Sequence, residues 1–103
     1  MKLTPFDLNS IKSQCYQNIE YYQDNRTIAY NYSTQYICGR IDGSVWISEL
    51  MASYLDLDIV LCLEILNLIA IKKLDIQAID NDYKRGLYDQ LVEMEIKIND
   101  RVN

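Results

Sequence analysis

Apolar residues recur along the chain at intervals of three and four, and turn chemistry bounds each of these runs. Leu8, Ile11, Cys15, Ile19 and Tyr22 form one stripe, with Asn9, Lys12, Ser13, Gln17 and Glu20 on the remaining surface. Thr4 is placed to cap this helix, Pro5 takes its first position, and Asp7 lies near the positive end of its dipole. It should stop near Asp24-Asn25. Trp46, Ile47, Leu50, Met51, Tyr54 and Leu55 predict a short helix that ends before Asp56. Asp80-Asn81-Asp82 reads as a turn and N-cap cluster, after which Tyr83, Leu87, Leu91, Met94, Ile98 and Val102 trace a last amphipathic helix. Glu93 and Lys97 add a pair four residues apart on it. Gly86 costs that helix about 1 kcal/mol relative to Ala, so its start is expected as late as Leu87.

The run from Leu57 to Ile71 is different, because only Asp58, Glu64 and Asn67 interrupt its apolar residues. No single stripe hides such a segment, so it is expected at the centre of the fold. It is too short for the roughly 20 apolar residues of a membrane span, and it carries acids within it. A central soluble helix over residues 57–73 is predicted, with Asp58 in the first turn and Lys72 and Lys73 in the last complementing its dipole.

Between Arg26 and Arg40 two periods overlap. Thr27-Ile28-Ala29-Tyr30-Asn31-Tyr32 alternates and is rich in β-formers, while Ile28, Tyr32, Tyr36 and Gly39 fit a helical face. Helix is favoured, since a lone hairpin needs something to pack on. The other reading is a small β-hairpin between residues 27 and 47 that turns at Asp42-Gly43. In the helical reading, Asp42-Gly43-Ser44 breaks one helix and caps the next. The expected fold is therefore all-α: one domain over residues 1–103, with four or five short helices packed around residues 57–73.

Composition narrows the function classes. The chain has 103 residues, half of them apolar, a formal charge of −5 and no histidine. An acidic balance disfavours phosphate backbones and anionic lipid and suits a basic protein surface. Met1-Lys2-Leu3-Thr4-Pro5 lacks the apolar run of a signal peptide, so a cytoplasmic protein is expected. Cys15, Cys38 and Cys62 are odd in number and far apart, and read as small buried residues. Without histidine there is no Ser-His-Asp or Cys-His arrangement, and Asp56, Asp58, Asp80 and Asp82 sit where caps and turns call for acids. Asp80, Asp82 and Gly86 do not make a calcium loop: Lys84 and Arg85 stand at ligand and glycine positions, and Leu91 replaces the terminal Glu. No enzyme activity, metal or cofactor is expected.

Two features point to binding. Ser48 to Asp58 followed by the apolar run resembles a helix-turn-helix, with small Ala52 where helices approach and Met51, Leu55, Leu57, Cys62 and Ile65 inward. The match covers about a quarter of the chain, Asp56 stands where the turn usually has Gly, and the second helix opens with apolar and acidic residues instead of base-reading ones. A transcriptional regulator of that type would touch DNA through Lys72, Lys73, Lys84 and Arg85, the only dense basic cluster. The second feature is tyrosine, at nine residues against one Phe and one Trp. Its apolar ring and polar tip suit surfaces that are wet before association and buried after it. Tyr21 and Tyr22 are adjacent, so a helix must leave one of them outside the core stripe. Tyr21, Tyr30 and Tyr36 with the acids Glu20 and Asp24 form the expected contact patch. The leading expectation is a small acidic regulatory or inhibitory protein that binds a basic partner, similar in size and charge to immunity proteins and phage antagonists of nucleases. A homodimer is the natural extension, because a second copy can cover what a short chain leaves open. A secretion-type chaperone dimer is a further class with the same bulk properties.

Overall fold

The structure, a computed structural model, describes residues 2–24 and 32–102, the side chain of Val102 excepted. Its elements in order are strand β1 (Lys2–Leu3), helix α1 (Pro5–Gln23), helix α2 (Thr34–Ser53), strand β2 (Val60–Leu61), helix α3 (Cys62–Asp75) and helix α4 (Asp82–Val102). Among the described residues the fold is a small all-α bundle of four helices with a two-stranded antiparallel ribbon. No helix among the described residues is long and apolar enough to cross a membrane.

α1 begins as its capping chemistry predicts. The Thr4 hydroxyl accepts from the Asp7 amide at 3.3 Å, and the Asp7 carboxylate accepts from the Thr4 amide at 2.9 Å, closing a reciprocal box. Leu8, Ile11 and Cys15 are fully buried, and the helix ends at Gln23. At the start of α4 the Asn81 side chain accepts from the Lys84 amide at 2.8 Å. Leu91, Met94 and Ile98 are buried along that helix, and Glu93 pairs with Lys97 at 3.9 Å.

Residues 34–53 form one helix, so neither a hairpin turning at Asp42-Gly43 nor a break at Asp42-Gly43-Ser44 is present. Residues 27–31, the first strand of that hairpin reading, lie outside the described residues. The strand pairing is elsewhere and non-local: Lys2 opposes Leu61 and Leu3 opposes Val60. Gly39 and Gly43 are kept within α2 because α4 crosses there with its backbone almost touching. A Cβ on Gly39 would lie 2.7 Å from the Leu87 nitrogen and also against the Tyr83 carbonyl oxygen. A Cβ on Gly86 would meet the backbone of Tyr36 and Arg40, at 3.0 Å from the Tyr36 carbonyl carbon. Gly86 is thus inside α4, which starts at Asp82 and not at Leu87. Its helix-propensity cost is offset by the approach it permits.

The centre of the bundle is α2. It packs against both α1 and α4, while α3 packs against α4. The apolar stretch expected there as one helix over residues 57–73 is divided. Residues 57–59 are irregular, Val60 and Leu61 pair with the N-terminus, and α3 runs only from Cys62 to Asp75. Asp58 therefore lies outside the helix, and Glu64 takes the acidic first-turn position. Cys62, Ile65 and Ile69 face the core, but Leu57, Ile59, Leu61, Leu63, Ile71 and Leu74 are at least half exposed. Small residues on α2 decide this outcome, because backbones that approach closely bury more per turn than a bulky helix held at ordinary distance.

Candidate functional site

The last turn of α1 and the first two turns of α2 gather the tyrosines. Tyr22 continues the buried stripe of α1, which turns its neighbour Tyr21 outward to 55% exposure. The two rings meet edge to face with centroids 5.2 Å apart. Tyr21 lines a shallow hollow of about 420 Å³ with Gln17, Glu20, Gln23 and Asp24, so three of the expected contact residues share one surface.

α2 supplies the other half. Ser33 caps it, its hydroxyl accepting from the Tyr36 amide at 3.1 Å. Tyr32 stacks on Tyr36 with centroids 4.8 Å apart and planes 16° from parallel, and the Tyr36 hydroxyl donates to Asp89 on α4 at 2.8 Å. One turn further on, the Arg40 guanidinium lies over the Tyr22 ring at 5.1 Å and pairs with Glu93 at 3.3 Å. Only 9% of Arg40 is exposed, which makes it a buried cation tied to α1 and α4 at once. Tyr21, Tyr22, Arg40, Tyr36 and Tyr32 thus form a continuous set across two helices, braced on the third.

The titration behaviour follows from these contacts. Burial pushes the Tyr22 phenol above its ordinary range, against the pull of Arg40. Tyr36 is pushed up to about 12, first by burial and then by its hydrogen bond to the Asp89 carboxylate. Burial works against the charge on Arg40, but Tyr22 and Glu93 outweigh it and raise its pKa, so the cation persists.

Of the residues expected to bind, Glu20, Tyr21 and Asp24 line the hollow, and Tyr36 reaches them through Tyr22 and Arg40. Tyr30 lies outside the described residues. Tyr32, Tyr22 and Arg40 were not in the expected patch. The four-residue spacing of Tyr32 and Tyr36 was a legible signal for a stacked pair. A lone Arg in register with the inward Gly39, Gly43 and Ser44 was the corresponding signal for Arg40.

The basic set is arranged differently. Lys73 pairs with Glu95 at 2.7 Å and lies over the Tyr88 ring, and Lys84 pairs with Asp80 at 3.1 Å. Lys72 lies over the Trp46 ring at 5.5 Å, and Arg85 is exposed. Lys72 and Lys84 line one groove with Asp75, Asn81 and Tyr83. The helix-turn-helix resemblance departs at the turn: Tyr54 to Leu61 separate α2 from α3 and include a strand, where the motif has three or four residues. Glu64 and Leu63 are the exposed side chains that open α3.

Among the described residues, no group of three or more Cys, Asp or Glu is placed to hold a metal ion. No protein-family model, curated protein or solved structure matches the chain.

Proposed function

We propose that this chain is a non-enzymatic regulatory or inhibitory protein of the cytoplasm that occupies a basic surface on a partner protein, using the tyrosine-lined end of α1 and α2. The observation that carries this reading is the pairing of exposed, amphipathic rings with a rigid base. Tyr21 and Tyr32 are about half exposed, and each rests on a half-buried tyrosine anchored by Arg40 or Asp89. Rings held in place before binding lose little conformational freedom on contact, and Tyr is among the residues that dominate interface energetics. Glu20 and Asp24 beside them supply the charge that a basic partner complements. A reducing compartment agrees with three free thiols, one of them exposed on Cys38.

The test is affinity capture with tagged protein from cells that express it, followed by titration of each captured protein against wild type and a Tyr21→Ala, Asp24→Lys variant. The variant should weaken binding at least tenfold, corresponding to about 1.4 kcal/mol or more, with an unchanged circular dichroism spectrum. Equal binding by the variant refutes this surface as the contact. Salt-sensitive binding of mixed-sequence duplex DNA that is lost on Lys72→Ala with Arg85→Ala would replace the proposal with nucleic-acid binding.

A further inference from the structure

Among the described residues, five buried side-chain nitrogen and oxygen atoms have no hydrogen-bond partner, and four of them belong to three residues at the α2–α4 crossing: Arg40 Nε, Ser44 Oγ, Gln90 Nε2 and Gln90 Oε1. The fifth, Gln14 Oε1, is on α1. Ser44 and Gln90 are fully buried, and Arg40 is nearly so. Their neighbours bring the three together. A Cβ on Gly43, the residue before Ser44, would lie 2.8 Å from Gln90 Cβ, so α2 and α4 meet at Gln90. Arg40 is one turn before Ser44 on the same face of α2, and its guanidinium pairs with Glu93, one turn past Gln90 on α4. The Arg40 side chain therefore runs along the crossing past Gln90. Ser44 also differs from the serines that follow it on α2. Ser48 and Ser53 donate back to the carbonyls of Val45 and Leu50, at 2.8 and 2.6 Å, whereas the Ser44 hydroxyl makes no such bond and stays free for a partner between the helices.

We infer that α2 and α4 enclose an internal water site here, in which water bridges Arg40, Ser44 and Gln90. The chemistry of the set selects the occupant. Arg40 and Gln90 present donors, Gln90 presents an acceptor, and the Ser44 hydroxyl is both, so the bound molecule must donate and accept. A cation would meet the Arg40 charge at close range. An anion would meet the Gln90 carbonyl oxygen and the Glu93 carboxylate, which is 3.3 Å from Arg40. Burial of all three residues excludes a large ligand, and water is the smallest molecule that both donates and accepts. A buried amide without a partner is costly, and a chain of this length is expected to hold about four buried waters, each making about three hydrogen bonds. Bonds to both helices make the water a bridge beside the glycine contact. It gives Arg40 Nε the partner that the chain does not, and Arg40 in turn lies over Tyr22 at the base of the tyrosine-lined surface. The inference does not depend on what that surface binds.

Oxygen-17 relaxation dispersion of the solvent tests it, because this nucleus reports water molecules and is blind to exchanging hydroxyl and amide protons. Wild type should show water held for longer than the protein takes to tumble. The double variant Gln90→Met, Ser44→Ala replaces the polar groups with apolar ones of similar size and should keep the circular dichroism spectrum. Its dispersion amplitude should fall by the equivalent of at least one molecule. Wild type alone supplies the location: the Gln90 side-chain amide protons should cross-relax directly with water in the nuclear magnetic resonance spectrum. That signal should persist in Ser44→Ala, where no hydroxyl at position 44 can relay it. Equal dispersion amplitudes in wild type and the double variant overturn the inference. So does a Gln90 amide without contact to water, because the chain would then satisfy Gln90 with its own groups.

Discussion

Alanine substitution at the glycines of the α2–α4 crossing separates two effects of opposite sign. Within a helix, Gly→Ala recovers about 1 kcal/mol of propensity, so a helix considered alone is stabilised. In the bundle the added Cβ of Gly39→Ala would sit 2.7 Å from the Leu87 nitrogen and 3.1 Å from the Gly86 carbonyl carbon. That of Gly86→Ala would sit 3.0 Å from the Tyr36 carbonyl carbon and 3.1 Å from the Arg40 nitrogen. These neighbours are backbone and cannot rotate aside. Carbon contacts are optimal at about 3.5–4.0 Å, so the helices must separate by something approaching 1 Å. Such a gap forfeits a quarter to a half of each dispersion contact along the crossing. Overpacking of this kind costs about 3 kcal/mol, which leaves a net loss of about 2 kcal/mol for either substitution. The melting temperature should fall by about 10 °C. Gly43→Ala is the internal control, since its Cβ would meet the side chain of Gln90, at 2.8 Å from Cβ and 3.0 Å from Cγ. A side chain yields more readily than backbone, so a change within about 1 kcal/mol is expected there. The double variant Gly39→Ala, Gly86→Ala should lose less than the sum, because the first substitution already parts the helices. Urea unfolding followed by far-ultraviolet circular dichroism and by Trp46 fluorescence measures all four. A Gly39→Ala protein as stable as wild type would refute the close crossing and with it the central place of α2.

Gln77 follows the C-terminus of α3 with φ 58°, the left-handed region where glycine usually ends a helix, so Gln77→Gly should raise stability by roughly 0.5–1 kcal/mol in the same unfolding assay. Burial pushes the Cys15 thiol up to about 12 and Cys62 is also buried, whereas Cys38 is exposed. One equivalent of a thiol reagent should therefore react quickly with native protein, and the remaining two only in denaturant; three fast thiols would contradict the packing of α1 and α3. Tyr83 is pushed up to about 12 by its hydrogen bond to Asp42, at 2.5 Å, and Tyr36 to about 12 mainly by burial. Both folded pKa values exceed the unfolded value near 10, so the stabilisation is complete below pH 10 and lost as pH rises towards 12. Ultraviolet titration of native protein should show a late-ionising class of tyrosines that Tyr36→Phe and Tyr83→Phe each diminish.

The sequence by itself determined whatever depends on neighbours a few residues apart. Thr4, Pro5 and Asp7 start α1 with a capping box, Asn81 caps α4, and the three-four spacing from Leu8 and from Tyr83 marks the faces those helices bury, because caps and stripes are local properties of the backbone. The outward turn of Tyr21 followed in the same way from its place beside Tyr22. Only the tertiary structure decided which helix is central. Apolar content pointed to residues 57–71, whereas the closest packing is reached where Gly39 and Gly43 of α2 meet Gly86 of α4, and glycines that read as helix breakers in isolation serve as the point of contact. It also decided the strand pairing of Lys2–Leu3 with Val60–Leu61, the gathering of Tyr22 and Glu93 around the Arg40 cation, and the anchoring of Tyr36 on Asp89. These partners are contributed by different helices, and their juxtaposition is a property of how the helices cross, which no window of sequence contains.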